Sequence, residues 1–367
     1  MLRKGMIRFS KTDSRRVTIK DIAELARVSI GTVDRVLHNR GEVNAETHQR
    51  VMSFVEDLGY TPNLLAKSLA LKKNFSISAL IPEAGEGNPY WKKPLEGILQ
   101  ASDELKDFNT SVHVYNYDPG EEASFIQQFE NMLSGDPDGI IAAPHFHAAS
   151  LKFSVLCAGK GIPLVLIDTD FDNGPRLAYF GQDAQQSGLV AGKLMHYGLP
   201  PCSSVLILNL APNKAITRHM KRREEGFMVY FEKALPEACI HTSVLAIDLS
   251  LPGEPEKSLE EVFALHGDIR GIFVTNSRAH LIAPFLARSN RKHLLVIGYD
   301  LIDANREYIE NGTIDFLICQ KPEEQGYKTV MALFNYLLTG RLTEAINHSP
   351  IDILVKENAG YYNSNNN

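Results

Sequence analysis

A set of side chains in the larger, C-terminal part of this sequence has the types and spacing to read a polyhydroxylated molecule. Asn88-Pro89-Tyr90-Trp91 supplies an amide for hydroxyl groups and aromatic faces for the C–H side of a sugar ring. Trp91 is the only tryptophan. Asp168, Asn276, Asp300 and Gln320 each close an apolar run that reads as a buried strand, so carboxylates and amides arrive together at strand ends. A helix entered near Ile216 presents Arg218, Lys221, Arg222 and Arg223 before Gly226-Phe227. Carboxylates, amides and a guanidinium together read several hydroxyls at once. His145-Phe146-His147 adds two imidazoles, of which His147 joins the candidate ligand set as one of a cleft-lining pair.

Other chemistries lack their parts. The two imidazoles have no acidic or thiol partner at metal-ligand spacing. Gly85-Glu86-Gly87-Asn88 has no phosphate-loop lysine and no dinucleotide fingerprint, and Ser187, His196 and the nearby acids form no nucleophile elbow. No acid and base pair can be assembled, so the sequence calls for no catalysis, no metal and no cofactor. Cys157, Cys202, Cys239 and Cys319 are scattered through apparent core segments without paired spacing and read as reduced, structural thiols.

These residues need parallel sheets to bring them together. From Phe75 onward apolar β runs alternate with helical patterns, with strands near 77–82, 111–116, 138–143 and 163–168, then near 203–209, 241–247, 270–275, 294–299 and 315–319. Two such series joined near Tyr179 to Asp183 make two similar lobes. Ligands of open α/β sheets sit at the carboxyl ends of the strands, so the cleft between the lobes is the candidate site.

Ahead of this body, Val17 to Ala70 strings together short helices. Thr18 is a hydroxyl N-cap with Asp21 three residues on, and Ile19, Ile22, Ala23, Leu25 and Ala26 recur at helical spacing behind it. Arg27-Val28-Ser29 breaks the period, and Ser29 can cap a second helix, Ile30 to Leu37. A third helix, entered at Asn44 and stopped by Gly59, offers Val51, Phe54, Val55 and Leu58 as the wall against which the first two pack. The second helix then projects Ile30, Gly31, Thr32, Asp34 and Arg35 outward, the geometry that sets one helix into a DNA major groove. Residues 1 to 73 hold 14 Lys and Arg against 8 Asp and Glu, a net of +6, which leaves −12 on the remainder of a chain whose formal charge is −6. A basic headpiece on an acidic body suits phosphate attraction by one end alone.

The stretch VTIKDIAELARVSIGTVDRVLHNRG, followed by YTPNLLAKSLALKK, closely resembles the headpiece and hinge of the lac repressor family of transcription regulators. It departs at Asp34, where the family's recognition helix usually carries serine; a carboxylate there repels phosphate but can accept from cytosine N4. The resemblance implies DNA contacts from Thr18, Ser29, Ile30, Gly31, Thr32, Asp34, Arg35, His38 and Asn39, and from Asn63, Ala66 and Leu69 on a hinge helix whose leucine wedges into the minor groove. The body resembles the ribose-type periplasmic sugar-binding fold of the same family through NPYW, VLIDTD, YFGQD, RREEGF, TNS, VIGYD and CQKP. Matched residue by residue, Asn88, Tyr90, Trp91, Asp168, Arg223, Asn276, Asp300 and Gln320 fall on positions that contact effector or sugar, with Lys221 and Arg222 able to take the role of Arg223.

The expected architecture is thus an all-α helix-turn-helix headpiece followed by an α/β, two-lobed, type I periplasmic-binding-protein-like domain with parallel sheets. Its parts are a basic arm (1–16), the headpiece (17–60), a hinge helix and linker (61–74), the effector-binding body (75–357) and a polar tail (358–367). Lobe 1 takes about 75–180 and 321–348, and lobe 2 about 181–320 and 349–357. The opening segment lacks the apolar middle of a secretory signal and no stretch has the length of a membrane span, so a cytoplasmic protein without a membrane partner is expected. The partners expected are a near-palindromic double-stranded operator, a sugar or polyol effector and a second copy in a homodimer. A periplasmic solute-binding protein for sugar uptake would share the body but not the headpiece.

Overall fold

The computed structural model describes residues 17–37, 41–58, 73–85, 87–171, 173–234, 239–289, 291, 293–342 and 344–362. The expectations placed on the basic arm, the hinge segment 61–72, the end of the tail, His38, Asn39, Asn63, Ala66 and Leu69 lie outside the described residues. The chain divides into two compact units, residues 1–72 and 73–367.

In the first unit, α1 (Ile19–Ala26) starts on a closed capping box. The Asp21 carboxylate accepts from Thr18 N at 2.7 Å and the Thr18 hydroxyl accepts from Asp21 N at 3.4 Å. Arg27 turns left-handed, φ 53°, and ends the helix. Ser29 then starts α2 (Ile30–Leu37), its hydroxyl accepting from Thr32 N at 3.1 Å. α3 (Ala45–Asp57) completes a small core of Ile22, Ala23, Ala26, Val33, Val36 and Val51, and Arg50 of α3 donates to Ala26 O at 3.1 Å, satisfying a carbonyl at the end of α1. Eight-residue helices are marginal alone, so this shared core is what holds α1 and α2.

The second unit contains two six-stranded sheets of matching order. The first runs β11-β5-β4-β3-β1-β2, from β1 (Phe75–Pro82), β2 (Thr110–Tyr117), β3 (Gly139–Ala142), β4 (Leu164–Ile167), β5 (Ala178–Gly181) and β11 (Ile346–His348). The second runs β12-β10-β9-β8-β6-β7, from β6 (Ser204–Ala211), β7 (His241–Asp248), β8 (Ile269–Val274), β9 (Leu295–Tyr299), β10 (Phe316–Cys319) and β12 (Asp352–Leu354). All the pairings are parallel except β10 with β12. β1, β3, β4 and β6 are almost wholly buried apolar runs, as sheets covered on both faces require.

The chain passes between the lobes three times: after β5, after β10 and between β11 and β12. One buried side chain ties the passages together, for Gln182 Nε2 donates to Cys319 O at 3.1 Å and to Pro350 O at 3.2 Å. Each lobe also has one pair of helices in backbone contact through glycines. Gly97 and Gly326 join Lys92–Leu105 to Pro322–Thr339, and Gly188 and Gly226 join Ala184–Gly198 to Arg218–Val229. A Cβ on any of the four would collide with the facing main chain. Cys157 and Cys319 are core thiols, but Cys202 and Cys239 are exposed, in the loops ahead of β6 and β7, and the reading of all four as core residues is corrected for that pair. No helix among the described residues is long and apolar enough to cross a membrane.

Candidate functional site

The carboxyl ends of both sheets face one cavity. From lobe 1 it is lined by Asn88, Tyr90 and Trp91 after β1, His145 after β3 and Asp168 after β4. From lobe 2 come His219, Met220 and Arg223 on the helix Arg218–Val229, then Asn276 and Arg278 after β8, Asp300 after β9 and Gln320 after β10. The cavity volume is about 60 Å³. A water takes roughly 10–15 Å³ on the same measure, so the space suits a small polar molecule rather than a chain of sugars.

Asp168 and Asp300 end equivalent strands, and both have a left-handed backbone, φ 67° and 59°. Such a turn costs an ordinary residue of order 1–3 kcal/mol, and aspartate tolerates it better than most. It lets each carboxylate line the cavity at the end of its strand. Asp168 is satisfied by hydroxyls: Tyr90 Oη donates to Oδ1 at 2.8 Å and Thr169 Oγ1 to Oδ2 at 3.1 Å. Asp300 is not. Gln320 Nε2 donates to its Oδ2 at 3.4 Å, and its buried Oδ1 has no partner. Burial pushes Asp300 up to about 7, with Arg223 opposing the rise and Asp168 adding to it.

Arg223 is buried with its guanidinium 3.6 Å from the centre of the Tyr299 ring, and it donates to Thr275 O at 3.0 Å while its Nε is unpartnered. Lys221 is exposed and Arg222 pairs with Glu225 at 3.4 Å, so Arg223 alone of these three lines the cavity. Asn276 donates to Leu210 O at 2.7 Å, and the fully buried Asn305 clamps this end of lobe 2 by donating to Ser277 O, Tyr299 O and Asp300 O at 2.9–3.1 Å. The lobes touch across the cavity where Thr169 Oγ1 meets His219 Nδ1 at 2.8 Å and Arg278 donates to Asn88 Oδ1 at 3.3 Å.

Eight of the nine residues assigned from the sequence are brought together: Asn88, Tyr90, Trp91, Asp168, Arg223, Asn276, Asp300 and Gln320. The ninth, His147, is corrected. It is the exposed first residue of the helix His147–Gly159, while His145 lines the cavity, its ring 5.7 Å from that of Trp91. Sequence reasoning also missed His219 and Arg278. His219 stands one helical turn before Arg223, at i and i+4, and that spacing could have disclosed it. Both imidazoles are held neutral, His145 down to about 3 and His219 well below its usual range, chiefly by burial and secondly, for His219, by Arg223. Among the described residues no three His, Cys, Asp or Glu side chains gather as a metal site.

A second surface lies on the first unit. Ser29, Ile30, Gly31 and Arg35 are exposed along one side of α2, with Thr32 and Asp34 half-buried beside them. Arg35 rests along its own helix, Nε donating to Gly31 O at 3.2 Å, so its cation stands at the surface. Thr18 is spent on its capping box.

The comparisons with known proteins follow this division. Residues 18–63 match the description "Bacterial regulatory proteins, lacI family", and residues 79–341 match "Periplasmic binding protein domain". The HTH-type transcriptional regulator DegA of Bacillus subtilis is 32% identical over 156 residues, 42% of this chain and 44% of that protein. The chain therefore matches less than half the length of this curated relative. A Bacteroides fragilis structure described as a LacI transcriptional regulator is 30% identical, covers 79% of this chain and 100% of its own, and superposes with a TM-score of 0.74. The glucose-galactose binding protein GanP of Geobacillus stearothermophilus, 21% identical over 78% of this chain and 99% of its own with a TM-score of 0.68, shares the fold of the body.

Proposed function

The chain belongs to the lacI family of bacterial regulatory proteins, with a periplasmic binding protein domain as its body, and on that basis we propose that it is a sequence-specific DNA-binding regulator, a repressor of carbohydrate-utilisation genes, controlled by a sugar or polyol held between its lobes. It acts in the cytoplasm as a homodimer on a near-palindromic operator, one headpiece per half-site, and catalyses nothing. The single observation that carries this reading is the coexistence in one chain of a capped helix-turn-helix with an exposed polar α2 face and a small cavity ringed by carboxylates, amides and aromatic rings.

In the cleft, Asp300 Oδ1, Asn276 and Gln320 take ligand hydroxyls, and Tyr90 and Trp91 offer apolar ring surface. On the headpiece, α2 enters the major groove and Arg35 leaves its own helix to meet a guanine edge or a phosphate. The body shared with solute-binding proteins would serve uptake equally well, but α1 to α3 have no role in uptake.

The test is selection of binding duplexes from a random library by the purified protein, followed by titration of the selected operator in the presence of monosaccharides and polyols. A symmetric consensus whose affinity shifts with at least one carbohydrate is expected. Binding that shows no sequence preference at physiological salt would remove the regulator reading, and operator affinity indifferent to every carbohydrate would remove the proposed effector class.

A further inference from the structure

The cleft holds one charge that nothing in it answers. Arg278 lies two residues beyond Asn276 and lines the cavity. Its guanidinium donates to Leu210 O at 3.4 Å, Gly87 O at 3.5 Å and Asn88 Oδ1 at 3.3 Å, all neutral acceptors at the long end of hydrogen-bonding distance. Its Nε is buried and has no partner, and no carboxylate among the described residues lies within ion-pair reach. Burial lowers it only to about 10, so it stays protonated at neutral pH.

Arg223 also has an unpartnered Nε and, among the described residues, no ion pair, but its surroundings differ. Its guanidinium lies on the Tyr299 ring, and its charge is felt by Asp300. The hydroxyls of a neutral sugar are already served by Asp300, Asn276 and Gln320, so a neutral ligand gives Arg278 no role. An enclosed cation without a counter-charge persists at a functional site when a ligand supplies that charge.

We propose that the effector is a sugar acid of monosaccharide size, whose single carboxylate pairs with Arg278 at the seam between the lobes while Asp300, Asn276 and Gln320 read its hydroxyls. The proposal rests on the reading of this cleft as a sugar site and narrows it. A carboxylate matches the planar guanidinium through two parallel hydrogen bonds, and it replaces the long contacts to Gly87 and Asn88. A phosphomonoester would bring nearly two charges to a place with one unanswered cation, beside two imidazoles that stay neutral.

The experiment is calorimetric titration of the full chain with three sets of probes: D-glucuronate, D-galacturonate and D-gluconate; D-glucose and D-galactose; and the hexose 6-phosphates. At least one acid should bind, with the neutral sugars at least about tenfold weaker. Arg278→Gln should lower acid affinity by about 10- to 100-fold and neutral-sugar affinity by clearly less, so that the preference for the acid collapses, whereas Arg278→Lys keeps part of it. The Gln variant should melt close to the parent, since Arg278 is half-buried and its hydrogen bonds are all long. Were it nevertheless to misfold, the order of affinities in the parent decides the matter.

Neutral sugars binding as tightly as the acids, or undiminished acid binding by the Gln variant, would overturn the role of Arg278 and leave the cleft a sugar site. Tighter binding of the 6-phosphates would overturn the carboxylate. Silence from all three sets would sink the sugar reading of the cleft itself, and this proposal with it.

Discussion

Asp300 concentrates the electrostatics of the cleft. Burial lifts its carboxyl from an ordinary value of 3.8 to about 7 in the folded protein. Between those two values the folded state holds a proton that the unfolded state has released, so stability falls as pH rises from about 4 to about 7 and is level above. Asp300→Asn should flatten this slope, read as melting temperature against pH; an unchanged slope would assign it to other groups. Effector hydroxyls donate to the ionised form, so binding should tighten as pH rises through about 7 in the parent and not in the variant, by calorimetry at pH 6 and 8. Arg35→Ala on α2 should weaken operator binding by about 1–3 kcal/mol. A base contact relaxes preference at one operator position, a phosphate contact weakens all sequences alike, and parental affinity would take Arg35 out of the interface. Most cleft residues were legible because aspartates, amides and aromatics at the ends of apolar runs have few structural reasons to be there. His145 and His147 were not separable, because two residues of register at a loop-to-helix boundary decide which one lines the cavity. Arg278 gave no signal: its meaning lies in the charge it lacks as a partner, which only packing discloses.

At the scale of elements, the helix Arg218–Val229 positions Arg223, and it is positioned in turn by glycine. Gly226 meets the main chain of Gln185, and Gly188 that of Arg223 itself. Gly226→Ala should destabilise the body by about 1–3 kcal/mol, since facing backbone cannot yield as a side-chain tip would. Effector affinity should fall with it, because the helix that moves carries Arg223, His219 and Met220 into the cavity. Chemical denaturation and ligand titration of the variant measure the two effects, and stability lost without affinity would show that the site adapts to the shift. The nine strands expected from the sequence are all present, with ends within two residues: β1, β3, β4, β6, β8, β9 and β10 are nearly continuous apolar runs between helices, and the more exposed β2 and β7 still carry β-branched and aromatic residues between helical patterns. β5, β11 and β12 were not anticipated. They are three or four residues long, β11 and β12 are partly exposed, and β5 sits where the chain was read only as a junction between lobes.

Across the whole body, movement of one lobe against the other must pass through three chain crossings, and Gln182 holds them in register through Cys319 O and Pro350 O. Gln182→Met keeps the volume and removes both donors, leaving two carbonyls unpaired at a cost of about 1–3 kcal/mol each. Amide exchange should quicken around residues 180–183, 319–321 and 349–351 before it changes in either sheet, and a uniform increase across the body would deny Gln182 this local role. Trp91 gives the molecule an optical property of its own. It is the only indole in the chain, buried in the cleft with the His145 ring at its side. That imidazole stays uncharged down to about pH 3, so it does not quench the emission as its protonated form would. Excited at the red edge of its absorption, the unlabelled protein therefore reports the state of the cleft alone, while a headpiece without tryptophan remains dark whether or not it is on DNA.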